Sequence, residues 1–136
     1  MFRAKRKDGQ GEVKGWLNYD KVNDRYFIVD EFYYTYDYDC WLPNIIEVIP
    51  STISMKTYQL DKAKEMIYGS FDLEGFGMTK GGDVVSVYYD GDYKFESEVF
   101  YNDGGFNVKI TDIYESFIGE QELYLKIIGK QYDEEV

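Results

Sequence analysis

Histidine is absent from this chain of 136 residues. It is the side chain whose unperturbed pKa lies nearest neutrality, and the commonest metal ligand. Its absence removes Ser-His-Asp and Cys-His nucleophile arrangements, histidine-based zinc sites and the ordinary imidazole proton shuttle. Cysteine is nearly absent as well. Cys40 stands alone, which excludes an intramolecular disulfide and suits a reducing cytoplasm. Beside Trp41 it reads as a half-buried thiol, since a nucleophile here would lack a histidine base. Proline occurs only at Pro43 and Pro50. No apolar run approaches the roughly 20 residues that a membrane-crossing helix needs. The basic start MFRAKRKDG leads into no apolar stretch, so no signal peptide and no membrane partner are expected, and the expected location is cytoplasmic.

What is present is tyrosine and carboxylate. There are 15 tyrosines and 26 aspartates and glutamates, aromatic residues make up 19% of the chain, and the net charge is −11. The hydrophobic and charged fractions, 44% and 30%, are those of a globular domain rather than a disordered one. The charge is uneven. Residues 1–15 hold five Lys or Arg against two acids, whereas residues 71–136 hold five lysines against 15 acids. Affinity for nucleic acid rests on cationic contacts that release counterions, so an anionic body disfavours it. The basic arm Arg3, Lys5, Arg6 and Lys7 is the one place able to touch phosphates, and it can equally pair with the chain's own acids.

The dominant hydrophobic period is two, the period of strands. Residues 12–18 and 25–30 read as hairpin partners around a loop from Asn18 to Asp24. The segment Glu31 to Asp39 is predicted to be extended, with Phe32, Tyr34, Tyr36 and Tyr38 on one face and Tyr33, Thr35 and Asp37 on the other. One of those faces is expected to complete the core. Residues 45–49 form a short apolar strand. Asp61 to Met66 is predicted as a short helix capped by Asp61. The five glycines between 69 and 83 mark a long connection.

The sharpest local signal is Asp90-Gly91 between alternating runs over 83–89 and 93–101, a hairpin pattern. It predicts Tyr93, Phe95, Val99 and Tyr101 inward, and Lys94, Glu96 and Glu98 outward. Asn102 to Gly105 turns the chain into another alternating run, 106–110. A short helical turn is expected within Asp112 to Glu120, and a last strand over 123–128. The expected fold is all-β and mainly antiparallel with few short helices, its C-terminal part a small bent barrel with Val85, Val87, Phe95, Val99, Val108, Ile110, Leu125 and Ile127 in its core. The expected organisation is an N-terminal β region over 1–68, the Gly-rich connection 69–81, and the barrel over 82–136.

Chemistry-bearing motifs are few. Asp37 and Asp39, Asp90 and Asp92, Glu96 and Glu98, and Glu120 and Glu122 are carboxylates spaced by two, which on a strand share a face and suit a hard cation. Loop flanks, a turn and a solvent-facing stripe account for them better than a cation site does, and no calcium-loop spacing is present. Gly9-Gln10-Gly11 and Gly75-Phe76-Gly77 lack the lysine or third glycine of a phosphate loop. No catalytic, metal or cofactor residues are assigned. Tyr33, Tyr36, Tyr38 and Trp41 are the candidate interaction surface, because tyrosine and tryptophan offer large, stiff contact area with a polar handle.

Phe2 to Arg6 with Gly11 to Gly15, then Glu47 to Ile53, Lys64 to Tyr68, Gly82 to Val85 and Ile127 to Lys130, taken in that order, resemble the YopX family of phages and prophages. Phe2-Arg3-Ala4-Lys5-Arg6 with Gly11-Glu12-Val13-Lys14-Gly15 is similar to its opening "FRxKR…GxWVxG". Glu47 to Ile53 resembles its "VxPxTV" segment, Lys64 to Tyr68 its "GKxIYEGD", Gly82-Asp83-Val84-Val85 its "GDIV", and Ile127 to Lys130 its "xVIGNxY". The blocks span nearly the whole chain. Residues 54–64 depart from the family pattern, and about a dozen extra residues separate Tyr68 from Gly82. The resemblance implies an all-β protein whose C-terminal part is like an SH3-type roll, found in a bacterial host cell, with no catalytic or cofactor residues to carry over.

Three functions are open on this reading. The first is a phage-encoded, non-enzymatic module that binds a host or phage protein, and that forms a homo-oligomer through its exposed tyrosines. The second is a role tied to nucleic acid, by acidic mimicry of DNA or through the basic arm, with no tight nucleic-acid binding expected. The third is a carboxylate-based metal enzyme.

Overall fold

The computed structural model describes residues 1–111 and 114–134, the last two as backbone. The chain is all-β. Its only helical elements among the described residues are two short 3-10 turns, Pro50–Thr52 and Gln131–Glu134, and none is long and apolar enough to cross a membrane. The first six strands are β1 (Phe2–Lys5), β2 (Glu12–Asp20), β3 (Arg25–Thr35), β4 (Cys40–Glu47), β5 (Ser54–Leu60) and β6 (Met66–Gly69). They form one antiparallel sheet in the order β4-β3-β2-β1-β5-β6. A small hairpin follows, β7 (Asp72–Leu73) with β8 (Gly77–Met78). The remaining strands are β9 (Asp83–Tyr89), β10 (Asp92–Glu98), β11 (Phe100–Asn102), β12 (Gly105–Lys109), β13 (Glu115–Phe117) and β14 (Leu123–Lys130). They make two three-stranded sheets, β10-β9-β14 and β11-β12-β13.

Turn chemistry explains the hairpins. Asp90 and Gly91 sit at φ 50 and 85, and Asp103 and Gly104 at φ 52 and 88. This pair of left-handed residues is what a tight hairpin turn requires, and Asp and Gly are among the residues that adopt it most readily. In the β2–β3 loop Asp20 accepts backbone N–H bonds from Val22 and Asn23, at 3.1 and 3.3 Å, while Asp24 takes φ 53.

Two cores lie under these sheets. The first gathers Ala4, Val13, Tyr26, Ile28, Val48 and Ile53 with Phe71 and Leu73 from the Gly-rich connection. The second gathers Val85, Val87, Val99, Val108, Leu123 and Leu125 with Ile67 from β6. Ile110 and Ile127 pack against the second core, half-buried, and Phe95 is half-buried as well.

Three expectations are corrected. Asp61 to Met66 is no helix but the loop of the β5–β6 hairpin: Asp61 N–H donates to the Glu65 carbonyl at 2.8 Å, and Lys64 takes φ 64, a conformation that ends a helix. The expected helical turn from Asp112 to Glu120 contains β13 instead, paired to β12 through Lys109–Glu115 and Asn107–Phe117; positions 112 and 113 lie outside the described residues. Tyr93 and Tyr101, expected inward, are 54% and 42% exposed. The pairing of β10 with β9 shifts between Tyr93 and Phe95, so Phe95 lies opposite inward Val87 while Tyr93 lies opposite Tyr88 on the outer face. One unpaired residue reverses every side chain on one side of it. Tyr101 packs edge-on against Phe106 at 5.4 Å near the end of the short β11–β12 hairpin.

Candidate functional site

The aromatic segment between β3 and β4 becomes an arm. β2 pairs with β3 only as far as Trp16–Val29, whereas β3 and β4 remain paired from Glu31–Asn44 out to Thr35–Cys40. Beyond Val29 the sheet therefore narrows to a two-stranded ribbon. The transition sits where the β3–β4 register shifts between Val29 and Glu31. Gly15 in β2 makes room for it: a Cβ there would lie 2.1 Å from the Val29 carbonyl oxygen, closer than any side chain tolerates. The ribbon closes through the turn 36–39, where Asp39 takes φ 50.

The expectation that one face of this segment completes the core is corrected. Strand 31–39 stops at Thr35, and no arm residue belongs to either core. Tyr33, Tyr36, Tyr38 and Trp41 are 50, 90, 79 and 66% exposed, and Phe32 is 60% exposed. Tyr34 is the half-buried centre of the group, edge-on to Tyr36 at 5.0 Å and to Trp41 at 5.5 Å. The arm thus holds its rings against one another, with no core beneath them. Cys40, paired with Thr35, is half-buried beside the turn that closes the arm.

The basic residues 3–7 do not form a free arm. Arg3 is 5% exposed within β1; its guanidinium donates to the Gly81 carbonyl and pairs with Asp83, both at 2.9 Å, above the Tyr68 ring at 4.6 Å. Arg6 pairs with Asp8 at 2.7 Å and Lys7 with Glu47 at 2.9 Å, while the Lys5 side chain is exposed. Glu47 also takes Arg25 at 2.6 Å. Arg25 and then Lys7 hold the Glu47 carboxyl down at about 2. A carboxyl depressed on folding stabilises the native state above its ordinary 4.5, and that contribution disappears as pH falls through 2. Urea midpoints for Glu47→Gln should therefore decline less than those of the unaltered chain between those pH values. Parallel curves would remove Glu47 from the acid response.

Buried polar residues that no sequence pattern exposed lie at the seam between the two cores. Asp83, 1% exposed, accepts the Tyr68 N–H at 2.8 Å through its other oxygen, and burial pushes its pKa up against the pull of Arg3. Asp61 accepts N–H bonds from Ala63 and Glu65 and, across the seam, from Ile127 at 3.1 Å. A cleft of about 400 Å³ opens beside Arg3, Glu12, Lys14, Tyr68, Asp83 and Lys130. Its charges are largely committed to one another: Lys130 and the Tyr132 hydroxyl both bond Glu12, at 2.7 and 2.8 Å. Asp83 was within reach of sequence reading only as part of the Gly82-Asp83-Val84-Val85 block. Among the described residues no three Asp, Glu or Cys side chains converge as a metal site would require. No protein-family model, curated protein or solved structure matches this chain.

Proposed function

We propose that this chain is a non-enzymatic interaction module of the YopX-like phage and prophage kind, acting in the bacterial cytoplasm, that binds a host or phage protein through the β3–β4 arm. The observation that carries this reading is the arm itself: five large aromatic side chains at least half exposed on a ribbon that shields no core. A cluster of that kind loses contact with water only against another molecule, and aromatic anchors are the usual energetic centre of protein interfaces. The order of the family-like blocks supports the YopX-like reading, and the serial hairpins of β9 to β14 support an SH3-type roll. A nucleic-acid role draws less support, because Arg3, Arg6 and Lys7 are each engaged by a carboxylate of the same chain.

A photo-crosslinking amino acid placed at Tyr36 or Trp41 in bacterial cells should yield discrete protein adducts. The same group at Tyr124, 56% exposed on β14, should yield none. Equal adducts from both places would refute the arm as the binding surface.

A further inference from the structure

We propose that the arm takes an extended, basic segment of its partner protein, with Lys and Arg side chains laid over the exposed rings and against the arm's carboxylates. This rests on the reading that the arm is the interaction surface. Charge is the first observation. No Lys or Arg occurs between Arg25 and Lys56, while Asp30, Glu31, Asp37 and Asp39 are all exposed on the ribbon. Ring chemistry is the second. A cation within about 6 Å of a tryptophan or tyrosine face is attracted by the ring quadrupole, and arginine is the commoner partner. The molecule uses the same contact elsewhere, with Arg3 over Tyr68 at 4.6 Å and Lys56 over Tyr58 at 5.2 Å. On the arm, Tyr36, Tyr38 and Trp41 present such faces beside Asp37 and Asp39.

The third observation is the open edge. β4 is the last strand of its sheet. The Glu47 carbonyl accepts the Lys7 N–H at 3.0 Å, so it points away from β3. Strand alternation then directs the N–H and C=O groups of Trp41 and the Pro43 carbonyl to the same side, free beyond the cleft where Arg6 and Lys7 border Ile45. An extended peptide finds backbone partners there. Pro43 supplies no N–H, which interrupts the ladder and blunts the edge against continuous pairing. A second copy of this chain would set the same four carboxylates against their own kind, on bodies of net charge −11. A basic segment neutralises them.

The test uses the full chain with Trp16→Phe, leaving Trp41 as the fluorescent reporter. A short peptide alternating arginine and threonine should shift Trp41 emission, with affinity that falls as salt rises. The same peptide with glutamate for arginine should not bind. Asp37→Asn with Asp39→Asn should weaken binding about tenfold. Asp90→Asn with Asp92→Asn, which removes equal charge at the β9–β10 turn of another sheet, should leave binding unchanged. Equal loss from both pairs would reduce the effect to overall charge and overturn the proposal. Binding of both peptides alike overturns the basic specificity and leaves the arm as a docking surface. No peptide binding while crosslinks still map to the arm overturns the basic segment alone, and crosslinks that map elsewhere overturn both readings. An arm-dependent dimer in light scattering makes a second copy the occupant and refutes the basic segment.

Discussion

Replacing Arg3 with alanine is expected to lower the free energy of unfolding by about 3–5 kcal/mol, the usual cost of removing one partner of a buried ion pair. The two side chains are 6 and 1% exposed and meet at 2.9 Å. Without the guanidinium, the Asp83 carboxylate stays buried with the Tyr68 N–H as its remaining bond, and the Gly81 carbonyl loses its donor. The loss should depend on pH. Burial already raises the Asp83 pKa and Arg3 opposes the rise, so the variant's Asp83 should titrate higher still. An acid whose pKa is raised on folding costs stability as pH rises through that value. The deficit of the variant should therefore be larger near pH 7 than near pH 4. Arg3→Met combined with Asp83→Leu should recover most of the loss, because neither charge is then left alone. Urea unfolding of the three proteins decides it, and a single-variant loss below about 1 kcal/mol would mean that the pair does not hold the seam.

Asp61→Ala is expected to cost about 3 kcal/mol, because one carboxylate closes a hairpin loop and ties it to β14. Its Oδ1 accepts Ala63 and Glu65 N–H bonds at 2.9 and 2.8 Å, and its Oδ2 accepts the Ile127 N–H. Alanine leaves three backbone donors to find water or none. Asn keeps one acceptor oxygen and should fall between. Amide exchange adds a local reading: the Ile127 N–H should lose protection in Asp61→Ala before the rest of β14 does. Unchanged protection at Ile127 would show that the link across the seam carries no load.

Asp61 also shows where sequence reading succeeds and where it stops. An aspartate that accepts nearby N–H bonds was legible; whether it caps a helix or closes a hairpin was not, since both begin with the same short-range bonds. The Asp90-Gly91 turn was legible because its conformation depends on those two residues alone. Core positions Val85, Val87, Val99, Val108 and Leu125 followed from alternation and are all buried. Alternation failed at Tyr93 because a single shifted pair in β10 reverses the parity, and no residue type announces that shift. For the arm, sequence marked the tyrosines and Trp41 as a surface but buried half of them. How far β2 accompanies β3 settles that, and it is a property of another strand.

The sequence by itself determined what is missing and what repeats. Lack of histidine removed whole classes of chemistry, and a hydrophobic period of two with Asp-Gly turns sufficed for an antiparallel all-β chain. These are properties of single residues or of neighbours a few positions apart. Tertiary structure alone decided which charges and which rings are free. Arg3 meets the Gly81 carbonyl 78 positions away, so a basic residue at the start of the chain becomes a buried seam cation, whereas Tyr36, set among aromatic neighbours, stays 90% exposed. Burial and ion pairing depend on what arrives from elsewhere in the chain, and neither composition nor spacing carries that.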